Sequence, residues 1–567
     1  MPRLHQHLFA FLTLFAFAAG PAIAAPRDEL LRVAPTDAAL LLLVQNARDH
    51  IQNLEQSPFA KWFPQTALGR QFLNGVDLKQ ARNAAAPIFS AFGIQPEELL
   101  ADIFGDAVAF AYTPASNDDP KSERAVVLIR PRTPETLAKL IAKLNEIQTA
   151  GGEVKSIVSR KHRGEEYFER QKPGGSDFYC FRGGVFAFSG TEPDIQSVID
   201  RDQLAGEKPP EAATKIAKLG VADSFIVALI NPRPFDAEIK IKAARANGHE
   251  KLILERFQEV WQALDSAAIY LALNSEIEFG VSLQFQPNKL PAGAKYWLTG
   301  PRHNAAVWQA IPGNSMLAVA GQFKAAELIE ALGSLAGPNP LKIAVEQFLG
   351  PVFGKDKLSQ VLNVFGPQWA VWIEPPTAGS GFLPVGVAAI QIDRSGTKGK
   401  EAAREIARAI AFGFNTIRVA YNAGHADQIE LVETEDGDAV ITSLVNEKSF
   451  PPGFQPSYAF KAGYLLIATS PAPIKRFQEP KATSINNEST LARISGAAIR
   501  DYLLLHREKL AKFLAAAGHG EEKELLKQFE QLATLLELID RVELFSTGDA
   551  TSMRFAARIK LAKPLKK

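Results

Sequence analysis

The residue types that build hydrolytic and metal sites are sparse in this chain. The histidines after the leader stand at 50, 162, 249, 303, 425, 506 and 519. No two of them are four apart, so a helical zinc pair is not encoded locally. The single cysteine, Cys180, sits between Tyr179 and Phe181. As a nucleophile it would need a neighbouring base or cation to lower its pKa. In an apolar strand it reads instead as a small buried residue. The stretch "RKHRGEEYFER" offers His162 with Glu165 or Glu166 as an acid–base pair. The same stretch reads as a solvated hairpin whose charges discourage strand-to-strand association, and this is the expectation. No phosphate-cradling glycine loop, G-x-S-x-G elbow, H-E-x-x-H or C-x-x-C is present. No catalytic residue, metal ligand or cofactor is therefore assigned.

Two apolar clusters suggest binding rather than reaction. In "SPFAKWF", Ser57-Pro58 is a helix start. Phe59, Trp62 and Phe63 then share one helical face at i, i+3 and i+4. They are expected to close the core, with a partner-docking face as the alternative reading. In "EKLILERFQEVWQALD", residues Leu252, Phe257, Val260, Trp261 and Leu264 form a second stripe, expected to face the core or a partner helix.

The elements that would position these residues are strands, hairpins and isolated helices. "AALLLLVQN" is apolar on both faces and predicts a central strand. "GDAVAFAYTP" with "ERAVVLIRPR" predicts a hairpin, and "TPETLAKLIAKLNEIQ" a helix. Further hairpins turn at Gly164, at Gly183-Gly184 and at Asp436-Gly437. The pattern predicts an α+β fold: a mostly antiparallel sheet with helices packed on one face.

Blocks of the first half recur later in the same order. Pro35 aligns with Pro312, and Phe104-Gly105 with Phe365-Gly366. Segment 124–147 matches 385–410; Tyr179, Phe181 and Gly184 align with Tyr458, Phe460 and Gly463, which sets Cys180 against Ala459; Asp265 aligns with Asp540. Repetition of single blocks is easy by chance, whereas repetition of their order is not. Two tandem divergent copies of one module are expected, residues 25–300 and 301–567, after a leader at 1–24.

That leader has a short basic start, an apolar run "LFAFLTLFAFAAG" and small residues at Ala22 and Ala24, the pattern of a signal peptide cleaved after Ala24. The run is too short to span a bilayer. A periplasmic or secreted protein without a transmembrane anchor follows. Removing Arg3 from the 63 basic residues leaves 62 against 62 acidic ones, so nothing attracts nucleic acid electrostatically. The apolar fraction of 46% suits globular cores.

"LRVAPTDAALLLLVQNARDHIQNLEQSPF", "FGDAVAFAY", "HRGEEYFER" and "GGVFAFSG" resemble a group of exported bacterial proteins of unknown function, which share a Pro-x-Asp opening before the first strand. The resemblance implies export and the module, and no activity. The expected role is binding, scaffolding or envelope association with an unknown protein or small ligand. An envelope hydrolase with its site between the modules is one alternative. A carrier of apolar ligands, which requires a cavity inside one module, is the other.

Overall fold

Alternation of buried and exposed side chains lays out the strands. In β1 (Leu40–Gln45), Leu41, Leu43 and Gln45 are buried while Leu42 is 37% exposed. The structure, a computed structural model, describes residues 25–66, 69–70, 74–75, 89–90, 93, 95, 99–115, 122–204, 209–291, 294–295, 304–322, 324, 326–327, 343, 346–347, 353–377, 379, 381–481 and 488–562. The leader 1–24 and the junction residues 296–303 lie outside the described residues. The protein mixes helices with antiparallel sheet, as the hairpin pattern predicted.

The chain groups into two compact units. The first holds Met1–Ile51, Ala84–Lys218 and Phe225–Leu229; the second holds Gln52–Asn83, Leu219–Ser224 and Ile230–Lys567. Strands of the first unit are β1, β2 (Ala107–Thr113), β3 (Arg124–Arg130), β4 (Ser156–His162), β5 (Glu165–Lys172), β6 (Gly175–Arg182), β7 (Val185–Ser189) and β8 (Ile226–Ile230). Their order across the sheet is β4-β5-β6-β7-β3-β2-β1-β8. The hairpin β6–β7 turns on Gly183 and Gly184, with φ of 53° and 82°. Two successive positive φ values make the tight turn that matches strand twist.

The helices, in chain order, begin with α1 (Pro26–Val33), α2 (Ala47–Gln56), α3 (Pro58–Trp62), α4 (Pro134–Ala150), α5 (Glu192–Gln203) and α6 (Glu211–Lys218). α4 covers the sheet face that carries Ile129, Tyr179 and Phe186, burying Leu137 against them. Cys180 and Ala187, 0% and 1% exposed, alternate with those residues and face the other way. On that side α1 and α5 pack against β2, β3, β6 and β7. Helices thus lie on both faces, which corrects the one-face expectation. The reason is in the sequence: "FYCF" and "VFAF" are apolar at every position, so each face needs a cover.

The second unit contains β9 (Leu264–Leu273), β10 (Ile277–Phe285), β11 (Leu317–Gln322), β12 (Phe365–Glu374), β13 (Val385–Ile392), β14 (Glu430–Asp436), β15 (Ala439–Val445), β16 (Ser457–Lys461), β17 (Tyr464–Ala468), β18 (Glu488–Ser495), β19 (Ile539–Gly548) and β20 (Ser552–Leu561). The order is β14-β15-β16-β17-β13-β12-β11-β18-β19-β20-β10-β9. The hairpin β9–β10, read from sequence as the end of the first module, groups here through its pairing with β20. Gly280 permits that pairing. It stands opposite Tyr270 on one side and Ala556 on the other. A Cβ there would lie 2.6 Å from the Phe555 carbonyl oxygen and 2.8 Å from the Tyr270 ring.

Among the described residues, this unit contains α3 and, later in the chain, α7 (Asp236–Arg245), α8 (Gly248–Ala263), α9 (Lys355–Val364), α10 (Gly396–Gly424), α11 (Pro471–Arg476), α12 (Gly496–Ala516) and α13 (Glu522–Leu536). The apolar stripe on α8 splits. Val260 and Trp261 pack around Leu264, whereas Leu252 and Phe257 are exposed.

Candidate functional site

The α4-covered face of the first sheet is paved with rings. Register places Phe168 beside Tyr179, Tyr179 beside Phe188, and Phe181 beside Phe186. Phe168 and Tyr179 stack at 5.0 Å, and Phe181 meets Phe186 at 5.1 Å. Arg170, two residues after Phe168, belongs to the same face and stands opposite Asp177.

α4 starts on Pro134 after Thr133 and presents Leu137, Leu140 and Ile141 to the sheet. One turn further the apolar stripe is broken by Asn145, and then by Gln148. Asn145 is 7% exposed, and its Nδ2 donates to the Tyr179 hydroxyl at 3.2 Å. Beside them on the groove-facing side the helix carries Ala138, Ala142 and Ala150, too small to cover the rings. The result is a groove of 790 Å³ between α4 and the strands, lined by Ile141, Ala142, Ile157, Phe168, Tyr179 and Phe181 among others. It shares Ile141, Asn145 and Tyr179 with a smaller cavity of 240 Å³ that Arg170 also lines.

The polar groups at the shared end are incompletely matched. Asn145 Oδ1 and Arg170 Nε are buried and have no hydrogen-bond partner. Arg170 is 6% exposed; its guanidinium donates to Gln148 Oε1 and lies 3.7 Å from Asp177. Asp177 is itself held by Lys172 at 2.7 Å. Burial pushes the Tyr179 hydroxyl's pKa up, so it remains a proton donor near neutrality. An apolar groove ending in one unmatched donor and one unmatched acceptor is suited to holding an amphiphile.

In the second unit the sequence sets Tyr458 against Tyr179, and its surroundings differ. There Phe414 of α10 sets its ring edge-on against Tyr458 of β16, 4.7 Å between centroids, where the first unit has the Asn145 amide. Another hollow in that unit, of 550 Å³, lies along the loop 445–455 with Phe382 and Phe513. Its polar groups are satisfied: Asn446 accepts from the amides of Lys448 and Ser449, at 3.0 and 2.9 Å. Asp427 accepts from Ser449, Asn446 and Tyr421, which holds its carboxyl well below the usual range.

The residues singled out in the sequence lie elsewhere. Phe59, Trp62 and Phe63 do share a face, with Phe59 stacked on Phe63 at 5.3 Å and edge-on to Trp62 at 6.4 Å. Each ring is half-buried. Ser57 caps their helix, accepting from the Ala60 amide at 3.1 Å. His162 is bonded to Asp200 at 2.8 Å, and Arg163 shares that carboxylate at 2.9 Å. Glu165 is paired with Arg182, and Glu166 accepts from Ser159, so neither carboxylate meets the imidazole. Cys180 is fully buried, and burial pushes its thiol up to about 12. The groove itself was missed. Its signal in the sequence is Asn145, which interrupts the 137–141–144 apolar stripe of that helix.

Comparison with family models, with curated proteins and with solved structures finds no match for this chain.

Proposed function

We propose that this chain is an exported binding protein, built from two divergent copies of one module, that holds an apolar ligand in the groove beneath α4. The observation that carries the reading is the groove itself: apolar, inside one unit, within the size range of small-molecule sites, and ending in buried polar atoms without partners. Such atoms cost roughly 1–3 kcal/mol each while unmatched, so a site that keeps them has a use for them. Duplication is supported by strand order: β14-β15-β16-β17-β13-β12-β11-β18 follows β4-β5-β6-β7-β3-β2-β1-β8 place for place. Under that reading the second copy has filled its groove with Phe414, and the two copies have diverged in role. Export rests on the leader, and the resemblance to exported bacterial proteins agrees with it.

The test is direct. N-phenylnaphthylamine, an apolar dye that brightens out of water, is titrated into the purified chain. Saturable binding is expected, and Ala142→Trp, which puts an indole into the groove from an exposed helix position, should abolish it without lowering the melting temperature. Binding unchanged by Ala142→Trp would refute the groove as the site.

A further inference from the structure

We infer that the ligand is a long-chain monocarboxylate, held with its carboxylate at Arg170 and Asn145 and its chain along Phe168, Phe181 and Ile157. This rests on the groove reading above and adds the head group.

The charge balance at the inner end selects an anion. Two cations, Arg170 and Lys172, share the one carboxylate of Asp177, which sits 2.7 Å from Lys172 and 3.7 Å from Arg170. The hydrogen-bond acceptor of Arg170 is Gln148, a neutral amide, which donates in turn to Glu153 at 3.0 Å. Glu146, at the groove's exposed rim, is already paired with Lys143 at 2.9 Å. A guanidinium that is 6% exposed and only partly neutralised favours a carboxylate placed on its free Nε–H. A neutral head leaves that deficit in place, and a cationic head worsens it.

The hydrogen-bond inventory agrees. Asn145 now donates to Tyr179 and leaves Oδ1 unmatched. Turning the amide by 180° exchanges oxygen and nitrogen. Tyr179 then donates its hydroxyl proton to Oδ1, and Nδ2–H faces the cavity beside Arg170 Nε–H. Both donors can be taken by one carboxylate, and no buried polar atom of the pair is left over. Beyond them, the half-open row of Phe168, Phe181 and Ile157 gives an unbranched chain an apolar floor.

The experiment uses a fluorescent polyene fatty acid as probe on the full chain at pH 8, displaced by palmitate, hexadecanol or hexadecyltrimethylammonium. Palmitate is expected to displace at about tenfold lower concentration than hexadecanol, the cation least well. Arg170→Gln and Asn145→Leu should each reduce palmitate's advantage over hexadecanol to under about threefold. Arg170→Lys, which keeps the charge and loses the fixed Nε–H, should fall between, and serves as the charge test should Arg170→Gln unfold. Equal displacement by acid and alcohol in the parent overturns the carboxylate inference while leaving the groove reading intact. So does an undiminished preference in Asn145→Leu together with a folded Arg170 variant. Probe binding that survives Ala142→Trp overturns both.

Discussion

Replacing Gly280 by alanine gives a test whose sign is informative. At an unobstructed strand position this change restricts the unfolded chain and stabilises by about 0.4–1 kcal/mol. Here the added methyl carbon would lie 2.6 Å from the Phe555 carbonyl oxygen, 2.8 Å from Ala556 Cβ and 2.8 Å from the Tyr270 ring. Ordinary contact begins near 3.4 Å, so β20 must retreat by about 0.8 Å or the ring must swing away. Neither is cheap. The Phe555 oxygen is backbone, fixed within a ladder running from Ile277↔Ile559 to Gln284↔Ser552. The Tyr270 ring is 2% exposed, and its hydroxyl donates to Glu278 at 2.6 Å. Overpacking of this kind costs about 1–3 kcal/mol, which outweighs the entropic gain and leaves a net loss of about 1–2 kcal/mol. Urea unfolding followed by far-UV circular dichroism measures it, with the m-value as a check that the transition is unchanged. Gly280→Ala as stable as the parent, or more so, would show that the β10–β20 spacing described here is wrong.

Trp62→Ala should lower stability by about 1–2 kcal/mol, less than the 3–5 kcal/mol of a fully buried indole, because its ring and its two neighbours are half-buried; thermal melts decide, and a loss above that range would mean the face is covered. The Cys180 thiol, pushed up to about 12, stays protonated in the folded state while the unfolded chain ionises near 9.0. Its contribution is therefore fully present below pH 9.0 and is lost as pH rises towards 12, so urea midpoints should fall across that window and Cys180→Ala should flatten the fall. The same burial predicts that a thiol reagent at pH 8 labels the protein only after urea is added; rapid labelling of the native chain would contradict it. Asn145→Leu removes a buried oxygen that has no partner but also the Nδ2 donor of the buried Tyr179 hydroxyl, so the two effects offset and stability should stay within about 1 kcal/mol of the parent while head-group preference is lost, a combination read by pairing melts with the displacement assay.

Hairpins and helices were legible because their causes are local. Paired glycines at 183 and 184 force a turn, and Ser57-Pro58 starts a helix whatever surrounds it. The α+β class followed from those elements. What escaped the sequence depends on partners distant in the chain. Nothing near residue 280 announces that β10 will lie against β20. Nothing near residue 145 reveals that a lone Asn in an apolar stripe faces Tyr179, and that Arg170 lines the adjoining cavity. His162 with Glu165 is the converse case, where neighbours in sequence suggest a pair that the fold does not make. The two are adjacent in register and chemically suggestive, yet Asp200, 38 residues away, takes the imidazole. Charge-dense segments are read poorly because each long polar side chain has several partners within reach, and only the tertiary fold chooses among them.

The β10–β20 ladder also sets a schedule for synthesis. β10 ends at Phe285 and β20 begins at Ser552, so 266 residues (286–551) emerge between them. At roughly 5–20 residues per second the ribosome takes about 13–53 s over that interval. Throughout it, the outer edge of β10 offers unpaired amides and carbonyls, flanked by Phe279 and Val281, to any strand nearby. Open apolar edges are where chains pair with the wrong partner. That edge is closed only when the last ten-residue strand arrives.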